Sequence, residues 1–194
     1  MGRCITDLNS PEFAALFAAF KYTAYRLETL QQYGVGYEDE SFRAFATGKP
    51  LRADPARDEW TAMIRSATAQ GKAFQRVHVV TEPLSEYLRY EMAWWYGPNV
   101  DAGDDVRILP ADCDRADDLV ALRELPDYWL FDSSDLWVMN YDTAGQFRYA
   151  EQASDPGVIV THAHWRDAAM HYAIPYTDYL RRKPLLASSE GRNG

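Results

Sequence analysis

Hydrophobic positions along this chain change period several times, and each change predicts an element. Ser10-Pro11-Glu12 supplies an N-cap, a first-turn proline and an acid; Phe13, Leu16, Phe17 and Phe20 then fall on one helical face. From 24 to 30 the period drops to two, with Tyr25, Leu27 and Thr29 on one side and Arg26 and Glu28 on the other, as in a strand. A short helix is expected over 38–46, closed by Gly48 with Pro50 beyond. Asp54-Pro55 opens a second clear helix with the stripe Trp60, Met63, Ile64 and Ala67, ended by Gly71. Residues 75–81, centred on Val77, Val79 and Val80, read as the best strand and stop at Glu82-Pro83.

An aromatic-rich helix over 84–96, ended by Gly97-Pro98, leads to a short strand at 105–109. Strand, helix and strand at this spacing favour a right-handed parallel crossover. A helix is expected over 114–122. Strands at 128–131, 136–141 and 147–150 follow, separated by Asp132-Ser133-Ser134-Asp135 and Asp142-Thr143-Ala144-Gly145, which makes an antiparallel meander. Asp155-Pro156 starts a helix toward His171, and Pro175 interrupts it before a last helical stretch at 176–182. The expected fold class is α/β (mixed α+β). One domain over 1–187 carries a mixed sheet of five or six strands with helices packed around it, and 188–194 form a loose tail without apolar anchors.

Composition narrows the class. Apolar residues at 47% and aromatics at 14% exclude disorder. No run of 18 apolar residues exists to cross a membrane, and Met1 to Ser10 lack the pattern of a secretory signal. Cys4 and Cys113 stand far apart and read as free thiols in a reducing cytoplasm. The net charge of −9, without a basic stripe, argues against direct contact with nucleic acid. That charge has an address: 101–135 hold eleven acids against three arginines, and the rest of the chain is close to neutral. Asp101, Asp104, Asp105, Asp112, Asp114, Asp117 and Asp118 are therefore expected to form a face for a basic protein partner. Their spacing lacks the glycine and glutamate of a calcium loop.

Candidate chemistry is sparse. The chain has no phosphate-binding loop, no dinucleotide fingerprint and no serine-hydrolase elbow, so no cofactor is expected and no catalytic residue is assigned. The binding candidates are Arg26, Glu28, Glu82, Tyr87, Arg107, Trp129 and Asp132. Glu82 and Asp132 each follow a strand and could share a crevice at the strand ends, where an enzyme would use them as acid and base. Capping and a local Arg26–Glu28 ion pair explain the same residues without a ligand. His162, His164 and His171 include a face of His164, Asp167 and His171, but a two-turn gap chelates poorly, so no metal is expected. Tyr87, Tyr90, Trp94, Trp95 and Tyr96 read as core packing, with a partner or homodimer surface as the alternative use of these rings.

Four ordered segments carry a resemblance: Ala24-Tyr25-Arg26-Leu27-Glu28-Thr29, Arg76 through Arg89, Gly103-Asp104-Asp105-Val106-Arg107 and Tyr128-Trp129-Leu130-Phe131-Asp132. Together they resemble an uncharacterised actinobacterial domain of unknown function, often encoded beside Xre-type helix-turn-helix regulators. The resemblance implies a cytoplasmic accessory or sensory protein acting with such a regulator, open to a small ligand, and it transfers no catalytic residue. The central block is also loosely similar to half of the phospholipase D fold. With Asp132 in the place of that motif's aspartate, Leu125 and Asp127 would fill the histidine and lysine places, so the catalytic pair is missing.

Overall fold

The computed structural model describes residues 2–34, 36–111, 121–122 and 124–183. Its eight strands are β1 (Cys4–Ile5), β2 (Thr23–Glu28), β3 (Ala73–Val80), β4 (Asp104–Pro110), β5 (Tyr128–Phe131), β6 (Asp135–Tyr141), β7 (Phe147–Gln152) and β8 (Ile174–Pro175). They form one mixed sheet in the order β1-β7-β6-β5-β2-β3-β4-β8. Parallel pairing is confined to β2, β3 and β4; every other neighbour is antiparallel. The mixed single sheet is as expected, but it has eight strands rather than five or six. The extra two, β1 and β8, are two-residue edges, too short to show any alternation in sequence.

The Ser-Pro and Asp-Pro signals all open helices. Ser10 Oγ accepts from the Phe13 N–H at the start of α1 (Pro11–Ala19). Next comes α2 (Asp39–Ala46). Asp54 caps α3 (Pro55–Ala69) through the Ala56 and Arg57 N–H groups. The aromatic helix departs from expectation. α4 (Glu86–Glu91) runs into a π-helical turn at Met92–Tyr96 and then into α5 (Gly97–Ala102), passing through Gly97-Pro98 rather than stopping there. Pro98 lies at the start of α5, where its missing N–H costs little, and Gly97 holds an ordinary helical φ of −56°. Gly103, at φ +106°, supplies the left-handed residue that ends the run. Beyond the meander, Asp155 caps α6 (Pro156–Tyr172), and α7 spans Tyr176–Arg182. The helix expected over 114–122 and the tail at 188–194 fall largely or wholly outside the described residues.

Both faces of the sheet are covered, so its central strands are buried on both sides. One face packs Tyr25, Leu27, Val77, Val79, Leu109, Tyr128 and Leu130 against Ala169 and Ala173 at the α6 end. The opposite face carries two separate apolar clusters. One gathers Phe17, Phe20, Ile64, Phe74, Trp129, Phe131 and Trp137 under α1 and α3. The other gathers Tyr33, Val80, Tyr87, Leu88, Tyr90, Tyr96, Ile108 and Tyr179 under α4, the π turn and α7. A row of buried charges crosses the sheet between them. No described helix is long and apolar enough to cross a membrane.

Candidate functional site

The row arises from strand alternation. With Tyr25 and Leu27 fixed on the α6 face, Arg26 and Glu28 of β2 must point to the other, and Val77 and Val79 of β3 likewise send Arg76 and His78 there. Parallel register then sets Arg26 directly beside Arg76 and Glu28 beside His78. Like charges side by side on a sheet repel, and here they are buried as well. Glu28 resolves the conflict: its Oε1 accepts from Arg76 Nη1 at 2.6 Å and from Arg26 Nε at 3.3 Å. Arg26 Nη2 also donates to Asp127 Oδ2 at 2.8 Å and to the Tyr141 hydroxyl at 3.0 Å, while Arg76 Nε lies 3.7 Å from Asp104 Oδ2. Trp129 faces both guanidiniums, with its ring centroid 5.7 Å from Arg26 Cζ and 6.0 Å from Arg76 Cζ.

Residues of the connection after β2 and of the helical run from α4 close the row from above. Tyr87 donates to Glu38 Oε2 at 2.7 Å, and Tyr33 donates to Asp127 at 2.6 Å. His78 Nε2 lies 2.8 Å from the Leu30 carbonyl, which can only accept. The ring therefore carries its proton on Nε2 and presents a bare Nδ1 to the Tyr96 hydroxyl, 2.6 Å away. Burial holds this imidazole below its usual range, so it is neutral. Acids outnumber bases: Glu28, Glu38, Glu91, Asp104 and Asp127 face two arginines. Burial alone would raise Glu28, but Arg76 and Arg26 hold it down at about 2. The surplus acids go the other way. Burial pushes Glu38 up to about 7, Asp104 up to about 6, and Glu91 well above the usual carboxylate range.

A pocket of about 490 Å³ opens onto this lattice. Its walls are apolar and aromatic, including Phe17, Trp60, Met63, Trp95, Trp129 and Tyr141, and its inner end is polar. Two lining residues each hold a buried polar atom without a hydrogen bond among the described residues, Arg26 Nη1 and Asn99 Oδ1, while Arg76 Nε has only the Asp104 carboxylate at 3.7 Å. Native interiors rarely leave such atoms unpaired.

Of the sequence candidates, Arg26, Glu28, Tyr87 and Trp129 all meet at this pocket. Arg107 does not: it projects to the α6 face, pairs with Asp105 at 2.9 Å and donates to the Met170 carbonyl. Glu82 and Asp132 do not share a crevice. β5 runs antiparallel to β2, so Asp132 lies at the sheet edge where β2 and β3 begin, and Glu82 lies where β3 ends. Eight residues of β3 separate those edges, roughly 25 Å. Each acid is also occupied. Asp132 accepts from the Lys21, Tyr22 and Thr23 N–H groups, and Glu82 accepts from Tyr179 and Lys183. An acid–base pair built on these two residues is not assembled.

The acidic segment is described only in part. Asp104 is buried against Arg76, Asp105 pairs with Arg107, and Asp101 is exposed, while Asp112, Asp114, Asp117 and Asp118 lie outside the described residues. On α6, His162 packs edge-on against Tyr128, and His164 and His171 sit beside Trp165 and Tyr172. Sequence reasoning missed Arg76, His78, Glu38, Glu91 and Asn99. The available signal was that β3 repeats the charge alternation of β2 two strands deep in a parallel sheet.

Residues 11–181 match the family described as a domain of unknown function (DUF6879), and the chain belongs to it. No curated protein matches it. Two solved structures are similar at the level of chain trace. One is TrmBL2, described as an archaeal chromatin protein with a novel mode of DNA binding, at 9% identity and a TM-score of 0.47. That alignment covers 90% of this chain and 54% of TrmBL2, so the chain spans about half of that protein's length. The other is NucT from Helicobacter pylori, at 8% identity and a TM-score of 0.46, covering 90% of this chain and 98% of NucT. Neither likeness transfers an activity. The exclusion of direct nucleic-acid contact, drawn from the charge, is nevertheless withdrawn, because a protein described as binding DNA stands among the similar folds.

Proposed function

We propose that this member of the family is a small-molecule-binding domain that works without chemistry, as an accessory or sensory unit in regulation. The carrying observation is the 490 Å³ pocket, whose lining brings Arg26, Arg76 and Asn99 together beneath aromatic walls, with Arg26 Nη1 and Asn99 Oδ1 left without a hydrogen bond among the described residues. An aromatic-walled pocket of this size with a few converging polar atoms suits a drug-sized organic molecule. The Arg26 N–H donor calls for a ligand acceptor, and the Asn99 oxygen calls for a donor. The ligand class that fits is a planar amide or heterocycle carrying both. Cost and gain favour binding over an empty state: each unpaired buried group costs about 1–3 kcal/mol, which a matching ligand recovers.

A thermal-shift panel of nucleobases, aromatic amino acids and planar amides tests this, together with mass spectrometry of molecules released from the purified protein. A ligand should raise the Tm of wild type. The shift should shrink in Arg26→Lys, which keeps the charge but loses the Nη1 donor, and persist in Arg107→Lys on the opposite face. A hit that ignores Arg26→Lys, or an empty panel with no released molecule, refutes the reading.

A further inference from the structure

The inner wall of the pocket holds a second arrangement, independent of any organic ligand. His78 Nδ1, Glu28 Oε2 and Glu91 Oε2 belong to a buried group whose ligand atoms all lie within 4.8 Å of one another. Nδ1 is 3.7 Å from the Glu28 oxygen and 3.6 Å from the Glu91 oxygen. The Tyr96 hydroxyl stands at a fourth corner, 2.6 Å from Nδ1, 3.4 Å from Glu28 and 3.5 Å from Glu91. Four donors bound to one ion at about 2.1 Å sit about 3.4 Å apart in a tetrahedron, so small side-chain movements would close this one.

Three further features match a metal centre. His78 donates its Nε2–H to a backbone carbonyl, which fixes the tautomer and aims the Nδ1 lone pair inward, as ligating histidines are held. Arg76 takes Glu28 Oε1 and thereby orients Oε2 toward His78, while Asp104 partly balances that guanidinium. Glu91 is buried, and among the described residues it has no lysine or arginine within ion-pair distance. With all five acids ionised against two arginines the row carries three negative charges in excess, and a dication would leave one.

We propose that His78, Glu28 and Glu91, with Tyr96 at the fourth position, bind one first-row divalent metal ion of the zinc type. One imidazole and two carboxylates suit borderline and hard divalent ions, and zinc outranks manganese, iron and cobalt in general affinity for such donors. Glu28, Glu91 and Tyr96 line the pocket, which gives the ion its entry. Ligating carboxylates must be ionised and the imidazole neutral, so uptake strengthens as pH rises.

The test is calorimetric titration of the chelator-treated, dialysed chain with Zn²⁺, together with elemental analysis. Wild type should take up one equivalent. Glu91→Gln, nearly isosteric and expected to fold, should bind at least tenfold more weakly, His78→Gln likewise, and His164→Ala on the exposed face of α6 should match wild type. Co²⁺ should give the visible absorption of a four-coordinate ion in wild type and not in Glu91→Gln. No uptake by wild type, undiminished uptake by Glu91→Gln, or loss of uptake in His164→Ala overturns the assignment. Asn99→Ala separates the two sites, since it removes the unpaired pocket oxygen and touches none of the four proposed metal ligands: it should weaken the organic ligand and leave zinc uptake intact.

Discussion

Glu28→Gln removes one charge and almost no volume from the middle of the sheet. Arg26 would keep Asp127 and Tyr141, but Arg76 would keep only Asp104 at 3.7 Å, and the two guanidiniums would still face each other in register. Two routes give the magnitude. Folding holds the Glu28 carboxyl down from 4.5 to about 2, which corresponds to about 3 kcal/mol of stability at neutral pH. Removing one partner of a buried ion pair costs about 3–5 kcal/mol by general experience. Urea unfolding at pH 7 should therefore place the variant about 3 kcal/mol below wild type with an unchanged m-value. Because the folded carboxyl is the more acidic, its contribution is present above pH 4.5 and lost as pH falls toward 2. The gap between the two proteins should close over that window. Adding Arg76→Met to Glu28→Gln should recover part of the loss by removing the stranded cation. A gap below about 1 kcal/mol at pH 7, or one that persists at pH 2, would refute the view that Glu28 neutralises the arginine pair.

Two other outcomes follow from the same structure. Glu38 and Asp104 are less acidic when folded, so their contributions are present below pH 4 and lost as pH rises through about 7 and about 6. The metal-free protein should be most stable near pH 4 and lose roughly 6 kcal/mol by pH 8 from these two groups; Glu38→Gln should remove about 3 kcal/mol of that fall in pH-dependent thermal unfolding. Asp132→Ala strips three N–H groups of their acceptor in a turn where Asp132 and Ser133 hold positive φ, and should cost about 1–2 kcal/mol in urea unfolding after allowance for its solvent exposure.

The helix starts and the meander were legible because local chemistry dictates them: Ser10, Asp54 and Asp155 each precede a proline and each caps a helix. The alternation of Arg26 and Glu28 against Leu27 was also visible, but it reads equally as a half-solvated strand. Only the helices over both faces make those charges buried, and that is a tertiary fact. Glu38 and Glu91 carry no local mark either. Glu91 sits mid-helix among aromatics, and the π turn that follows it belongs to the stretch carrying Tyr96 over His78. The acidic stretch hides a further distinction, because net charge by segment cannot separate a solvated aspartate from Asp104 under Arg76 or Asp127 under Arg26.

The charged row also constrains how β2 and β3 can pair. Sliding one strand by a single residue would drive Arg26 or Arg76 into the apolar layer under α6, away from Glu28 and Asp127 and toward a face whose Asp105 is already paired with Arg107. Sliding by two would keep the faces but set Arg26 beside Phe74 or His78 and part Arg76 from the carboxylate it shares with Arg26. The ion lattice thus acts as a vernier on a parallel strand pair whose valine-rich sequence would otherwise tolerate several alignments. It selects one alignment out of many through the penalty laid on the rest.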